Sequence, residues 1–125
     1  MVNYSIGDFL IRVKNAGMAG GKEVVFTSNK LVLACAQAIK KLGYLEEVKK
    51  DKDGIKVTLA IKRKEPVLMN LKLISKPGLR VYMDVAELKS KRGASNLLIS
   101  TSKGIMSHKE AIKMGIGGEA LAEIW

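Results

Sequence analysis

The chain has 125 residues, with 22 Lys and Arg against 12 Asp and Glu, a formal net charge of +10 and a pI near 9.8. With 47% apolar and 27% charged residues it can bury a core, which excludes disorder driven by low hydrophobicity. One cysteine, Cys35, and one histidine, His108, leave no means for an internal disulfide or a zinc cage; a reducing compartment and no cofactor are expected. The longest apolar run, Leu31–Ala36, is far short of a membrane span, and Asn3-Tyr4-Ser5 at the start argues against a signal segment. The usual counterpart of so large a basic excess is polyphosphate, with nucleic acid ahead of an anionic membrane.

Charge and pattern divide the chain. Residues 1–64 carry 13 Lys and Arg against 6 acids, and residues 65–125 carry 9 against 6. A boundary near Lys64-Glu65-Pro66 is expected, because proline breaks ladders and helices and restricts its predecessor. The first helix is predicted from Ile6, Phe9, Leu10 and Val13 on one face, with Ser5 and Asp8 as a capping pair and Gly17 as the stop. Glu23–Thr27 follows as a strand. A second helix is capped by Ser28 or Asn29, buries Leu31, Ala34, Cys35, Ala38, Ile39 and Leu42, and ends at Gly43. Strands Tyr44–Lys49 and Ile55–Lys62 flank Asp51-Lys52-Asp53-Gly54, whose Asp-Gly signals a hairpin; Ile55, Val57, Leu59 and Ile61 form the core face of the second strand.

The second half reads as mostly β. Val67, Met69, Leu71 and Leu73 alternate before a turn at Ser75–Gly78. Leu79–Tyr82 and Asn96–Ser100 are predicted strands, Glu87–Lys91 a helical turn, and Ser100–Gly104 a tight polar loop. Ser107 and Glu110 cap a short helix ended by Gly115, and Ala120–Trp125 closes as a strand. The expected class is α+β in two small lobes: an α-β-α-β-β lobe over 1–64 and a mostly β lobe with a short helix over 65–125.

Three features bear on chemistry. Ser100-Thr101-Ser102-Lys103-Gly104 offers hydroxyls that suit a ribose 2′-OH, a base edge or a phosphate, although by composition alone hydroxyl-rich turns more often bond to their own backbone. Its glycine follows the lysine, which does not fit a P-loop. Gly117-Gly118-Glu119 permits close backbone approach beside a carboxylate able to accept from a base amino group or 2′-OH; by itself the motif is better explained by a helix C-cap and flexible turn with a solvated Glu119. The lysine-rich stretches Lys49–Lys52, Lys56 and Lys62–Lys64, with Arg12, Lys14 and Lys30, form either solvated edges or a phosphate footprint. Tyr82, beside Arg80, can stack on a base or edge the core. His108 is expected at the surface and Cys35 in the core. No nucleophile, base and orienting group form a set, so an enzyme is not expected.

The segments Lys76–Tyr82, Glu87-Leu88, Ser100–Met106 and Gly115–Glu119 resemble the C-terminal signature of the bacterial small-subunit ribosomal protein eight family. Asp8, Arg12, Lys14-Asn15, Ser28–Leu31 and Lys41–Tyr44 extend the resemblance over essentially the whole chain. It implies a non-enzymatic, cytoplasmic primary binder of the central domain of small-subunit rRNA, supporting platform assembly, beside small-subunit proteins five and two. It also implies binding to the messenger of its own operon. Carried over residue by residue, Ser100, Thr101 and Ser102 would contact bases and sugars in a distorted minor groove, with Lys103 and Gly104 in the same loop. Gly118 would support that loop, and Glu119 and Tyr82 would join the contacts. Arg12, Lys14, Ser28, Asn29, Lys30 and Lys56 would meet phosphates. Met83-Asp84 and Ser95-Asn96 depart from the family pattern, the former where relatives often carry basic residues. A non-specific architectural binder of nucleic acid is the alternative; it would treat duplex DNA and structured RNA alike.

Overall fold

A computed structural model describes residues 5–27, 29–52, 54–62, 65–66 (backbone only), 68, 70–76 and 78–125. The chain packs as two units that divide between Asn70 and Leu71. The class is α+β, with antiparallel pairing throughout the described strands.

In the first unit, α1 (Ser5–Met18) buries Phe9, Leu10 and Val13 at the spacing of one helical face. It is followed by β1 (Glu23–Phe26), whose Phe26 ring meets Phe9 edge-on at 5.6 Å between centroids. Helix α2 (Lys30–Lys41) starts at Asn29, whose side-chain oxygen accepts from the amides of Leu31 and Val32 at 2.8 and 3.4 Å. Ser28, the other expected cap, lies outside the described residues. The buried face of α2 comprises Val32, Cys35, Ala36, Ala38 and Ile39. Leu31, expected inside, is exposed. The stripe is therefore rotated toward Val32 and Ala36, which together with Cys35 and Ile39 hold the spacing that one face requires.

Strands β2 (Leu45–Lys50) and β3 (Ile55–Leu59) form the expected hairpin, and the sheet order is β1-β3-β2. The Gly54 amide donates to the Asp51 carboxylate at 3.0 Å, closing the turn. Ile55, Val57 and Leu59 are buried, but Ile61 is 40% exposed and not core. The ladder ends at Leu59, and β4 (Ile61–Lys62) pairs instead with β5 (Glu65–Pro66), so the alternation of β3 does not carry through. Val67 and Met69 lie outside the described residues.

The second unit is a five-stranded sheet. Strand β10 (Gly118–Ile124) is central, pairing with β6 (Leu71–Leu73), β7 (Tyr82–Met83) and β8 (Asn96–Thr101). The outer side of β8 carries β9 (Gly104–Ser107), a strand not among the expected elements, which begins at the last residue of the expected loop. Leu79, expected in a strand with Tyr82, instead faces Lys76 in an isolated bridge and is exposed. One face of the sheet packs Leu97, Ile99, Met106 and Ala120 with Leu88 of α3 (Val85–Lys89) and Ala111 of α4 (His108–Met114). Helix α3 starts two residues earlier than expected because Asp84 caps it. Asp84 accepts from the Glu87 amide at 2.8 Å, and Glu87 accepts from the Asp84 amide at 3.2 Å. The departure at Asp84 thus builds a reciprocal cap. Ser107 caps α4, and Gly115 ends it in the left-handed region.

Candidate nucleic-acid interface

In register, Tyr82 of β7 lies opposite Glu119 of β10, Glu119 opposite Ser100 of β8, and Ser100 opposite Ile105 of β9. Directly opposed residues of antiparallel strands project to the same side of a sheet. Ile99, Met106 and Ala120, one position along, form a row on the other side and are in the core. The Tyr82–Glu119–Ser100 row therefore points away from that core. Tyr82 is 69% exposed, a flat ring free to take a stacking partner. The Ser100 hydroxyl makes no hydrogen bond to protein among the described residues.

The sharp turn after Ser100 has only Ser102 and Lys103 between the paired residues Thr101 and Gly104. Gly104 has φ of 118°, a conformation that favours glycine. The Thr101 hydroxyl donates to the Gly104 carbonyl at 2.8 Å and accepts from the Lys103 amide at 3.1 Å. Of the three hydroxyls in the motif, Thr101 thus binds its own backbone, as ordinary turn chemistry does. Ser102 and Lys103 are exposed at the tip, and the Ser102 hydroxyl has no protein partner among the described residues.

Gly117 and Gly118 do not take positive φ; close approach explains them. A side chain at Gly117 would collide with the Met83 carbonyl and lie 2.8 Å from the Asp84 Cα. One at Gly118 would collide with the Ser100 carbonyl and lie 2.9 Å from its carbon. Gly118 thereby lets β10 lie against β8 and seats Glu119 next to Ser100. Arg80, which sequence reasoning did not single out, donates to the Glu119 carboxylate at 3.2 Å. In the sequence it stands two residues before Tyr82, within the Lys76–Tyr82 segment that carries the resemblance, with nothing to link it to Glu119. Ser75, read only as part of a turn, is fully buried and holds Val81 between Arg80 and Tyr82: it accepts from the Val81 amide at 2.9 Å and donates to its carbonyl at 3.3 Å.

In the first unit the expected phosphate-facing residues have separate surroundings. The Arg12 guanidinium lies 4.8 Å from the centre of the Phe26 ring and donates to the Val25 carbonyl at 3.3 Å, tying α1 to β1. Asn29 spends its carbonyl oxygen on capping α2. Lys56 pairs with Glu23 at 3.3 Å in an exposed bridge, which is weak and easily exchanged. Lys30 is exposed and Lys14 half-buried, and neither has a protein partner among the described residues.

His108 is buried, contrary to the expectation of a surface site, and its Nδ1 accepts from the Leu97 amide at 3.0 Å. It completes the hydrogen bonding of β8 where β9 ends. Burial, with the positive charges of Lys91 and Lys109, holds its pKa below the ordinary histidine value. Cys35 is buried as expected, and desolvation pushes its thiol pKa far up, so it is not a thiolate nucleophile. Among the described residues no helix is long and apolar enough to cross a membrane.

A positive chain that exposes hydroxyls, a lysine and a stacking ring across one face of a sheet and the turn beside it has the make-up of a nucleic-acid-binding protein. Residues 4–125 match the family described as ribosomal protein S8. The small ribosomal subunit protein uS8 of Caldanaerobacter subterraneus subsp. tengcongensis is 43% identical, with 96% of each chain covered. That of Nitratidesulfovibrio vulgaris is 39% identical over the full length of both, and that of Thermosynechococcus vestitus 38% identical over 99% of this chain and 98% of its own. The chain belongs to this family, whose members are structural constituents of the small ribosomal subunit and not enzymes.

Proposed function

We propose that the chain is a primary binder of the central domain of small-subunit rRNA and supports assembly of the platform around it. The observation that carries this reading is the Tyr82–Glu119–Ser100 row continued by the Ser102-Lys103 tip. It joins a stacking surface, an acceptor, unspent hydroxyls and a cation on a stiff sheet. The wide, shallow minor groove of RNA presents 2′-OH groups and base edges to such a surface. Residues 65–125 act as the reading lobe, with Tyr82, Ser100, Thr101, Ser102, Lys103, Gly104, Gly118 and Glu119 at or beneath the contact. Residues 1–64 supply backbone contacts through Arg12, Lys14, Ser28, Asn29, Lys30 and Lys56. These neutralise phosphates and release counterions, which gives affinity without register.

Small-subunit proteins five and two are its neighbours in the assembled particle. A similarly shaped site on its own operon's messenger is a second RNA target, through which it represses translation. Nuclease footprinting on full-length small-subunit rRNA tests the central claim. Protection of one irregular helix in the central domain at nanomolar protein is expected; protection scattered over many helices, or equal affinity for duplex DNA, would favour a non-specific architectural binder.

A further inference from the structure

We propose that Arg80 is a positioning residue of the RNA interface, holding one oxygen of Glu119 so that the other is presented as an acceptor to a donor group on the RNA. The inference rests on the RNA-binding reading above and extends it to a residue that reading leaves out. A carboxylate in a surface meant for a polyanion repels phosphates unless a cation accompanies it. Glu119 carries this problem in acute form, because its side chain is only 17% exposed and it stands between Tyr82 and Ser100. Arg80 donates to Oε2 at 3.2 Å, while Oε1 has no protein partner among the described residues. The pair is neutral, and it leaves one oriented acceptor in the row.

Arg80 is itself well held. The next residue, Val81, is gripped at both its amide and its carbonyl by the buried Ser75 hydroxyl, and the Val81 carbonyl also accepts from the Ala120 amide at 2.9 Å. The backbone carrying Arg80 is therefore pinned to the same strand, β10, that carries Glu119, and their side chains meet without closing a loose loop. An acceptor fixed in this way selects for an RNA donor, a base amino group or a 2′-OH, and discriminates against an RNA lacking it. A phosphate-binding arginine would instead contribute charge alone and no selectivity.

A double-mutant cycle separates the two roles. Arg80→Met, Glu119→Gln and the pair are titrated by filter binding against an RNA fragment bearing the central-domain site and against an unrelated RNA, at several salt concentrations. Arg80→Met is expected to weaken cognate binding by about tenfold, the scale of a charge-assisted hydrogen bond. In the Glu119→Gln background the same change should cost less than about twofold, because no carboxylate remains to be held or neutralised. Arg80→Lys should restore part of the loss. Circular dichroism melting checks that each variant folds, and Arg80→Lys in both backgrounds provides the cycle if Arg80→Met does not. Equal losses in both backgrounds, with the salt slope reduced by about one, would make Arg80 a phosphate contact and overturn the proposal. An unchanged affinity in Arg80→Met would overturn it too. If the unaltered chain does not distinguish the cognate fragment from unrelated RNA, the RNA reading itself falls, a result visible before any variant is made.

Discussion

The Ser75 hydroxyl grips Val81 from both sides, accepting from its amide at 2.9 Å and donating to its carbonyl at 3.3 Å. Ser75 is fully buried, so these bonds form away from water, where a polar group without a partner is costly. Ser75→Ala removes the hydroxyl from both Val81 groups. A loss of about 1–3 kcal/mol is expected in urea unfolding, with a matching drop in RNA affinity as Arg80 and Tyr82 lose their anchorage. An unchanged unfolding midpoint would show that Ser75 does not hold this stretch.

Gly118 is required by contact and not by backbone angle. A methyl group there would collide with the Ser100 carbonyl and come within 3.1 Å of the Ile99 side chain. Backbone atoms of a paired strand cannot move aside cheaply, so Gly118→Ala must push β10 away from β8. Overpacking of this kind costs about 1–3 kcal/mol. Thermal unfolding should show the destabilisation, and loss of amide-exchange protection should be concentrated at Ser100 and Glu119.

Ser102 and Lys56 should fail differently. Ser102→Ala removes a hydroxyl with no protein partner among the described residues, so stability should not change while cognate RNA binding weakens by about 1–3 kcal/mol. Lys56→Ala should weaken cognate and unrelated RNA alike and lower the salt slope by about one, as expected for a phosphate contact. Filter binding across a salt series reads both. If Ser102→Ala left cognate affinity untouched, the turn would not be a reading element.

The buried imidazole of His108 gives a pH dependence of defined sign. Burial and the charges of Lys91 and Lys109 depress its folded pKa below the unfolded value, and a protonated Nδ1 could not accept from Leu97. Between the two pKa values the unfolded chain binds more protons than the folded one. The contribution of His108 is therefore complete above about pH 6.5 and is lost as pH falls toward the folded pKa. Urea unfolding between about pH 5.5 and 7.5 should show stability rising with pH, and the slope should flatten in His108→Gln. The same slope in that variant would assign the effect to another group.

The buried face of α1, the β2–β3 hairpin and the Ser107 cap of α4 were legible because each is written within a short run of consecutive residues. Errors appeared where a neighbouring element decided. Leu31 sits on an apolar stripe by spacing, yet the cap at Asn29 and the packing of α2 turned Val32 and Ala36 inward. Ile61 continues the alternation of β3, but its strand left that sheet to pair with Glu65-Pro66. His108 stands at a helix start, where residues are usually wet, yet it is buried and accepts from the amide of Leu97, eleven residues earlier in the chain.

The sequence by itself determined a basic, two-lobed α+β chain and marked the hydroxyl turn and the paired glycines as unusual, since charge, periodicity and turn chemistry are local properties. It left open whether the hydroxyls face inward or out and why two glycines stand together. Only the tertiary structure decided that Thr101 serves the turn while Ser100 and Ser102 remain unspent, and that Arg80 reaches Glu119. Those outcomes depend on strand register, which brings residues 39 positions apart to within hydrogen-bonding distance. Register is set by the packing of a whole sheet against its core and not by any short run of residues.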